Sequence, residues 1–229
     1  HMGVCPRVVL GGSEILEITA MQWTIRAILL GSTLVAGQVS AQPQPEGFLC
    51  CNMRSDGSWI SDINYAQRGK TIIPVGTPVK VTGYGRHRVY LLVAGGKQAL
   101  GNDYSRDLEM DAFVTRYVVK KDPRLQIATF PAKIREAITS AKLTTGMTRE
   151  QVTMSVGMPV SSENPKLDAN IWRFWREGDA EFQVVFDESG RVSEIATDPP
   201  TRSLVVLRID PAPITPPTRI FTKSEKCGG

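Results

Sequence analysis

The run Leu143-Thr-Thr-Gly-Met-Thr-Arg-Glu-Gln-Val152, followed by Gly157-Met-Pro159, constrains the fold of this chain more than any other stretch. Gly146 supplies a turn that can take positive φ. Thr148 is an N-cap, and Gln151, three residues on, can reach back to complete a capping box. Val152 and Val156 form an apolar stripe led by Met147, and Gly157 with Pro159 stops the helix. Upstream, Phe130-Pro131 opens a first helix, on which Ile134, Ala137, Ile138 and Ala141 share one face by their i, i+3, i+4, i+7 spacing. Helices this short are unstable alone, so both must lie on something.

Three downstream strands supply that surface. Asn170–Trp175, Glu181–Asp187 and Arg191–Ile195 are joined by Glu177-Gly-Asp179 and Glu188-Ser-Gly190. Alternation puts Trp172 and Phe174 on the same face as Phe182, Val184 and Phe186. Burying such side chains stabilises the unit by roughly 1.5–3 kcal/mol each. The other face carries Ile171, Arg173, Trp175, Gln183 and Val185, a mixed apolar and basic strip. These five are the candidate partner surface, with Trp175 and Arg173 as an aromatic and arginine anchor. The competing expectation covers Trp175 with the strand-like tail Ser203–Ile209 or with the preceding domain.

These motifs carry a resemblance. Leu143–Val152 resembles the "G-M-T-x-x-x-V" helix start of the SmpA/OmlA group, the family of the outer-membrane assembly factor BamE. Gly157-Met-Pro159 is similar to its "G-x-P" stop, and Trp172-Arg-Phe174 to its "W-x-Y" strand. Val184-Val-Phe-Asp187 with Gly190-Arg-Val192 resembles "V-x-F-D…G-x-V". The resemblance implies an α-α-β-β-β fold, an exported location and binding without catalysis. Its partners would be envelope proteins, including outer-membrane assembly components, with anionic lipid or cell wall as a further contact. The same topology resembles the repeat of secreted β-lactamase inhibitor proteins, which makes a proteinaceous hydrolase inhibitor the alternative function.

Ahead of this unit, Pro78-Val-Lys-Val-Thr82, His87–Val93 and Phe113–Val119 read as strands. Gly83-Tyr-Gly-Arg86 and Gly95-Gly96 read as their turns, and Ser55-Asp-Gly57 as an earlier one. The expectation is a small antiparallel β domain, barrel-like, over residues 42–128, with a polar leader Gln42–Gly47. The chain is thus α+β: this β domain, then a BamE-like α-α-β-β-β two-layer domain over 129–198, then an edge strand and proline-rich tail over 199–229.

The address is read from Met21–Ala41. Arg26, the apolar run Ala27–Gly37 and small residues at Val39-Ser-Ala41 form a secretory signal peptide, cleaved after Ala41. The run is too short for a span of about 20 residues. Residues 1–20 are expected to be an upstream extension or a vector remnant, outside the fold. No cysteine directly follows the apolar run, so lipidation is not expected. The location is periplasmic or outer-membrane-associated.

Export bears on Cys50, Cys51 and Cys227. Adjacent cysteines rarely bridge each other because the ring is strained, so the expected bond runs from Cys227 to Cys50 or Cys51. A net charge of +4 falls short of a nucleic-acid binder's basic stripe. Past Ala41 only His87 remains, with no paired ligand spacing and no nucleophile beside it. No metal, no cofactor and no enzymatic activity are expected. The acidic group Asp103, Asp107, Glu109 and Asp111 lacks the spacing of a calcium loop and reads as a solvated loop.

Overall fold

The computed structural model describes residues 45–208. The expected signal peptide over 21–41, Cys227 and the proline-rich tail lie outside the described residues. Eight strands and a short helix come first: β1 (Glu46–Leu49), β2 (Met53–Asp56), β3 (Trp59–Ser61), β4 (Thr71–Ile73), β5 (Pro78–Gly85), β6 (Arg88–Val93), β7 (Gly96–Gly101), α1 (Met110–Tyr117) and β8 (Val118–Val119). The strands curl into a half-barrel in the order β4-β2-β3-β7-β6-β5-β1-β8. Alternation along β5 and β6 sends Val79, Val81, Val89, Leu91 and Val93 inward.

The sheet departs from the expected antiparallel, barrel-like sheet in three ways. β3 and β7 pair in parallel, Ile60 opposite Leu100, which takes a crossover rather than a tight turn. β1 to β4 and β7 were not expected; β1 begins inside the polar leader, β2 and β3 flank the Ser55-Asp-Gly57 turn, and β7 runs on from the Ala94-Gly95 turn. The β5–β6 turn falls at Arg86-His87, because β5 continues through Gly85 past an irregularity between Val81 and Gly83.

The expected strand Phe113–Val119 is instead mostly helix α1, with only Val118–Val119 extended against β1. Its β-branched and aromatic composition suits a strand. In a helix, however, Phe113, Val114 and Tyr117 fall on one face and close the half-barrel core, with the Phe113 and Tyr117 rings 5.0 Å apart. Packing outweighs local propensity here.

The second part opens with α2 (Pro123–Ile127), capped by the Asp122 carboxylate, which accepts from the Arg124 N–H. Then come α3 (Ala132–Thr139), α4 (Arg149–Val156), β9 (Ile171–Glu177), β10 (Ala180–Phe186), β11 (Val192–Ala196) and α5 (Pro199–Val205). The Thr148 side chain accepts from the Gln151 N–H, and Gln151 returns a bond to the Thr148 N–H, so the capping box forms as expected. Gly146 has φ 85°, the left-handed turn its position called for. Ile134, Ala137, Ile138 and Ala141 are all buried, but α3 ends at Thr139, so Ala141, at φ 52°, lies past the helix rather than on its face.

The three strands form an antiparallel sheet in the order β11-β10-β9. Trp172, Phe174, Phe182, Val184 and Phe186 are buried together against α3 and α4. Phe174 stacks on Phe182 at 5.4 Å, and Trp172 meets Phe186 edge-on at 5.0 Å.

The expected tail strand Ser203–Ile209 is also overturned over its described part. Asp198-Pro-Pro-Thr201 is a helix start: the Asp198 carboxylate accepts from the Thr201 N–H, and proline takes the first turn, where no N–H is needed. Val205 joins the helix-side core, and only Val206-Leu207 stays extended, bonded to Leu143.

The half-barrel and the helix-plus-sheet part meet through buried amides. Asn52 donates to the carbonyls of Ile138 (2.6 Å) and Ser155 (3.0 Å) and accepts from the Val75 N–H (2.9 Å). Asn64 donates to the carbonyls of Asn52 (3.1 Å) and Val156 (2.7 Å). Val75, from the first part, lies in the hydrophobic core of the second.

Candidate functional site

The five residues expected to form a partner surface share the face of β9 and β10 that the helices leave open. Ile171 sits opposite Val185, Arg173 opposite Gln183, and Trp175 opposite Glu181. β11 extends the same face by setting Glu194 opposite Val185 and Ala196 opposite Gln183. Ile171, at 49% exposure, and Arg173 are exposed; Trp175, Gln183 and Val185 are half-buried.

The electrostatics differ from the expected mixed apolar and basic strip. Arg173 is held between Glu181 (3.6 Å) and Glu163 (3.8 Å), and Gln183 donates to the same Glu181 at 2.7 Å. Two carboxylates thus flank one guanidinium, and Glu194 adds a third acidic side chain to the same face, opposite Val185. The strip is apolar at its Ile171–Val185 end and acidic in balance around Arg173. One-residue alternation could place Arg173 on this face, but Glu163 arrives from a loop and is not visible in strand periodicity.

The outer edge of β9 is largely occupied. The Asn164 side chain accepts from the Arg173 N–H (2.8 Å) and donates to the Arg173 carbonyl (3.0 Å). Farther along, the Ala66 N–H donates to the Arg176 carbonyl at 3.0 Å. A partner therefore meets side chains on the face rather than a free strand edge.

The remaining chemistry-bearing residues are placed as follows. Asp103 pairs with Arg106 at 3.8 Å, and Asp107 accepts from the Ser161 hydroxyl. His87 sits half-exposed in the β5–β6 turn. Asp62 is fully buried and accepts from the N–H groups of Asp103 (3.3 Å) and Tyr104 (3.0 Å). Burial pushes its carboxyl up to about 6, against the opposing pull of those two donors and of Ser105. Asp62 thus anchors the start of the acidic loop.

Two features escaped the sequence reading. Cys50 and Cys51 are bonded to each other rather than to Cys227, which lies outside the described residues. They belong to the half-barrel core, where neighbouring strands fix the turn that brings the sulfurs together. Beside them runs a groove of about 540 Å³ lined by Cys50, Val119, Pro123, Leu125, Thr153 and Met154. The sequence signal was the adjacent cysteine pair; the groove depends on α2 and α4 meeting, which no local pattern announces.

Comparison of the chain with protein-family models, with curated proteins and with solved structures finds no match.

Proposed function

We propose that this chain is an exported, non-enzymatic envelope protein whose helix-plus-sheet part is a BamE-like module that binds a protein partner. The open face of β9 and β10 is its docking surface. One observation carries the reading: five side chains, Ile171, Arg173, Trp175, Gln183 and Val185, lie together on a sheet face whose opposite side holds the core.

The order of elements, two helices followed by a three-stranded meander, supports the family resemblance drawn from the motifs. The charge on the face bears on the partner. An arginine already flanked by carboxylates offers little to an anionic lipid, whereas a half-buried tryptophan beside an arginine and an exposed isoleucine suits a protein surface. On this reading the partner is an envelope protein, with outer-membrane assembly components as the class to test first.

The experiment is site-specific photocrosslinking from Ile171 and Val185 in cells exporting the full chain. The expected result is a discrete envelope-protein adduct that disappears in the Trp175→Ala, Arg173→Ala double variant. An adduct pattern unchanged by that variant, at equal protein level, overturns the choice of face.

A further inference from the structure

The Cys50–Cys51 bond does not act as cross-links usually do. A disulfide constrains the unfolded chain according to the length of loop it closes, and a bond between neighbours closes almost none. Its influence is local, on the turn from Cys50 to Asn52. That turn is a junction. The Cys50 N–H donates to the Tyr117 carbonyl at 2.9 Å and the Asn52 N–H to the Met154 carbonyl at 3.0 Å. The Asn52 side chain reaches Ile138, Ser155 and Val75.

The two cysteines are unequally placed. Cys51 is fully buried, its sulfur 3.7 Å from that of Met53. Cys50 keeps 8% exposure and lines the groove whose rim carries the exposed Leu125. An incoming thiolate must approach one sulfur while the other leaves, so access decides which sulfur is attacked.

We propose that Cys50–Cys51 is a thiol–disulfide exchange site whose co-reactant is a dithiol that enters by this groove and attacks Cys50. The dithiol's thiolate bonds to the Cys50 sulfur. The Cys50–Cys51 bond breaks, its electron pair leaves on Cys51, and Cys51 takes up a proton. The second thiolate of the co-reactant then attacks the mixed disulfide and closes its own disulfide. Cys50 is released and protonated. Two electrons and two protons pass from the dithiol to the cysteine pair, and the reverse reaction restores the bond. This inference is independent of the partner surface on β9 and β10.

The test treats the full chain with dithiothreitol in native buffer, alkylates it with N-ethylmaleimide and maps the labels by mass spectrometry. Without reductant, the peptide holding Cys50 and Cys51 should take no label even in denaturant. With dithiothreitol it should be labelled without denaturant, at Cys50 before Cys51. A pair that takes two labels with no reductant, or that resists dithiothreitol until the protein is unfolded, overturns the proposal. Leu125→Trp tests the route, since Leu125 is 76% exposed and its replacement leaves the core alone. It should slow native reduction on the order of tenfold by blocking access; an unchanged rate overturns entry by the groove.

Discussion

The side-chain nitrogen of Asn64 lies 2.7 Å from where a β-carbon on Gly157 would stand. That nitrogen also donates to the Val156 carbonyl at 2.7 Å, closing the last turn of α4 against the half-barrel. Gly157 holds φ 95° and ψ 177°, a conformation L-residues rarely adopt. The residue that ends the helix is therefore also the one that lets the two parts approach.

Gly157→Ala meets both obstacles, backbone strain and the Asn64 amide. It is expected to lower unfolding stability by about 2–3 kcal/mol, read as a lower urea midpoint at unchanged slope. A loss below about 0.5 kcal/mol would show that Asn64 steps aside without cost.

Asn52→Ala should be costlier than its single side chain suggests. It strips partners from the carbonyls of Ile138 and Ser155 and from the Val75 N–H, all inside the molecule. The expected loss is about 3 kcal/mol. Hydrogen exchange at the Val75 amide should quicken beyond what the global loss accounts for; exchange that tracks the global change alone would assign Asn52 no local role.

Asp62 gives a pH dependence with a definite sign. Burial raises its folded-state value to about 6, above that of the unfolded chain. The folded protein holds this proton more tightly. The contribution is complete below the ordinary aspartate value and is lost as pH rises through about 6. Nearby Asp103 pushes in the same direction, while the donors from Asp103, Tyr104 and Ser105 oppose it. Urea midpoints measured from about pH 4 to about pH 7 should fall across that window and flatten in Asp62→Asn. A slope that survives in the variant belongs to another group.

Thr148→Ala removes the N-cap of α4 and should cost about 1 kcal/mol. Gln151→Ala breaks the reciprocal bond, and because the two form one box their double variant should lose less than the sum. Full additivity in thermal or urea unfolding would mean the two bonds act separately.

Much of the second part was legible because its signals are local. A glycine, a threonine and a glutamine at fixed offsets start α4 whatever surrounds them, and alternation assigns Trp172 and Phe174 to the core without reference to the helices. The open-face set of Ile171, Arg173, Trp175, Gln183 and Val185 was legible for the same reason. The first part was harder. Ala99, Leu100 and Gly101 become strand β7 only because β6 on one side and β3 on the other complete their hydrogen bonds.

The amino-acid sequence by itself determined where helix α4 begins and ends, where α3 begins, and which faces of β9 and β10 turn inward. Those are questions of spacing and capping within a few residues. Tertiary structure alone decided that Phe113–Tyr117 is a helix, that Ser203–Val205 ends one, and that Cys50 bonds to Cys51. It also decided that Arg173 stands between Glu163 and Glu181. Each of those outcomes rests on groups distant in the chain: an apolar face needing a core, or a charge meeting a carboxylate from another element. Contacts of that kind carry no periodicity, and they appear only once the chain has closed on itself.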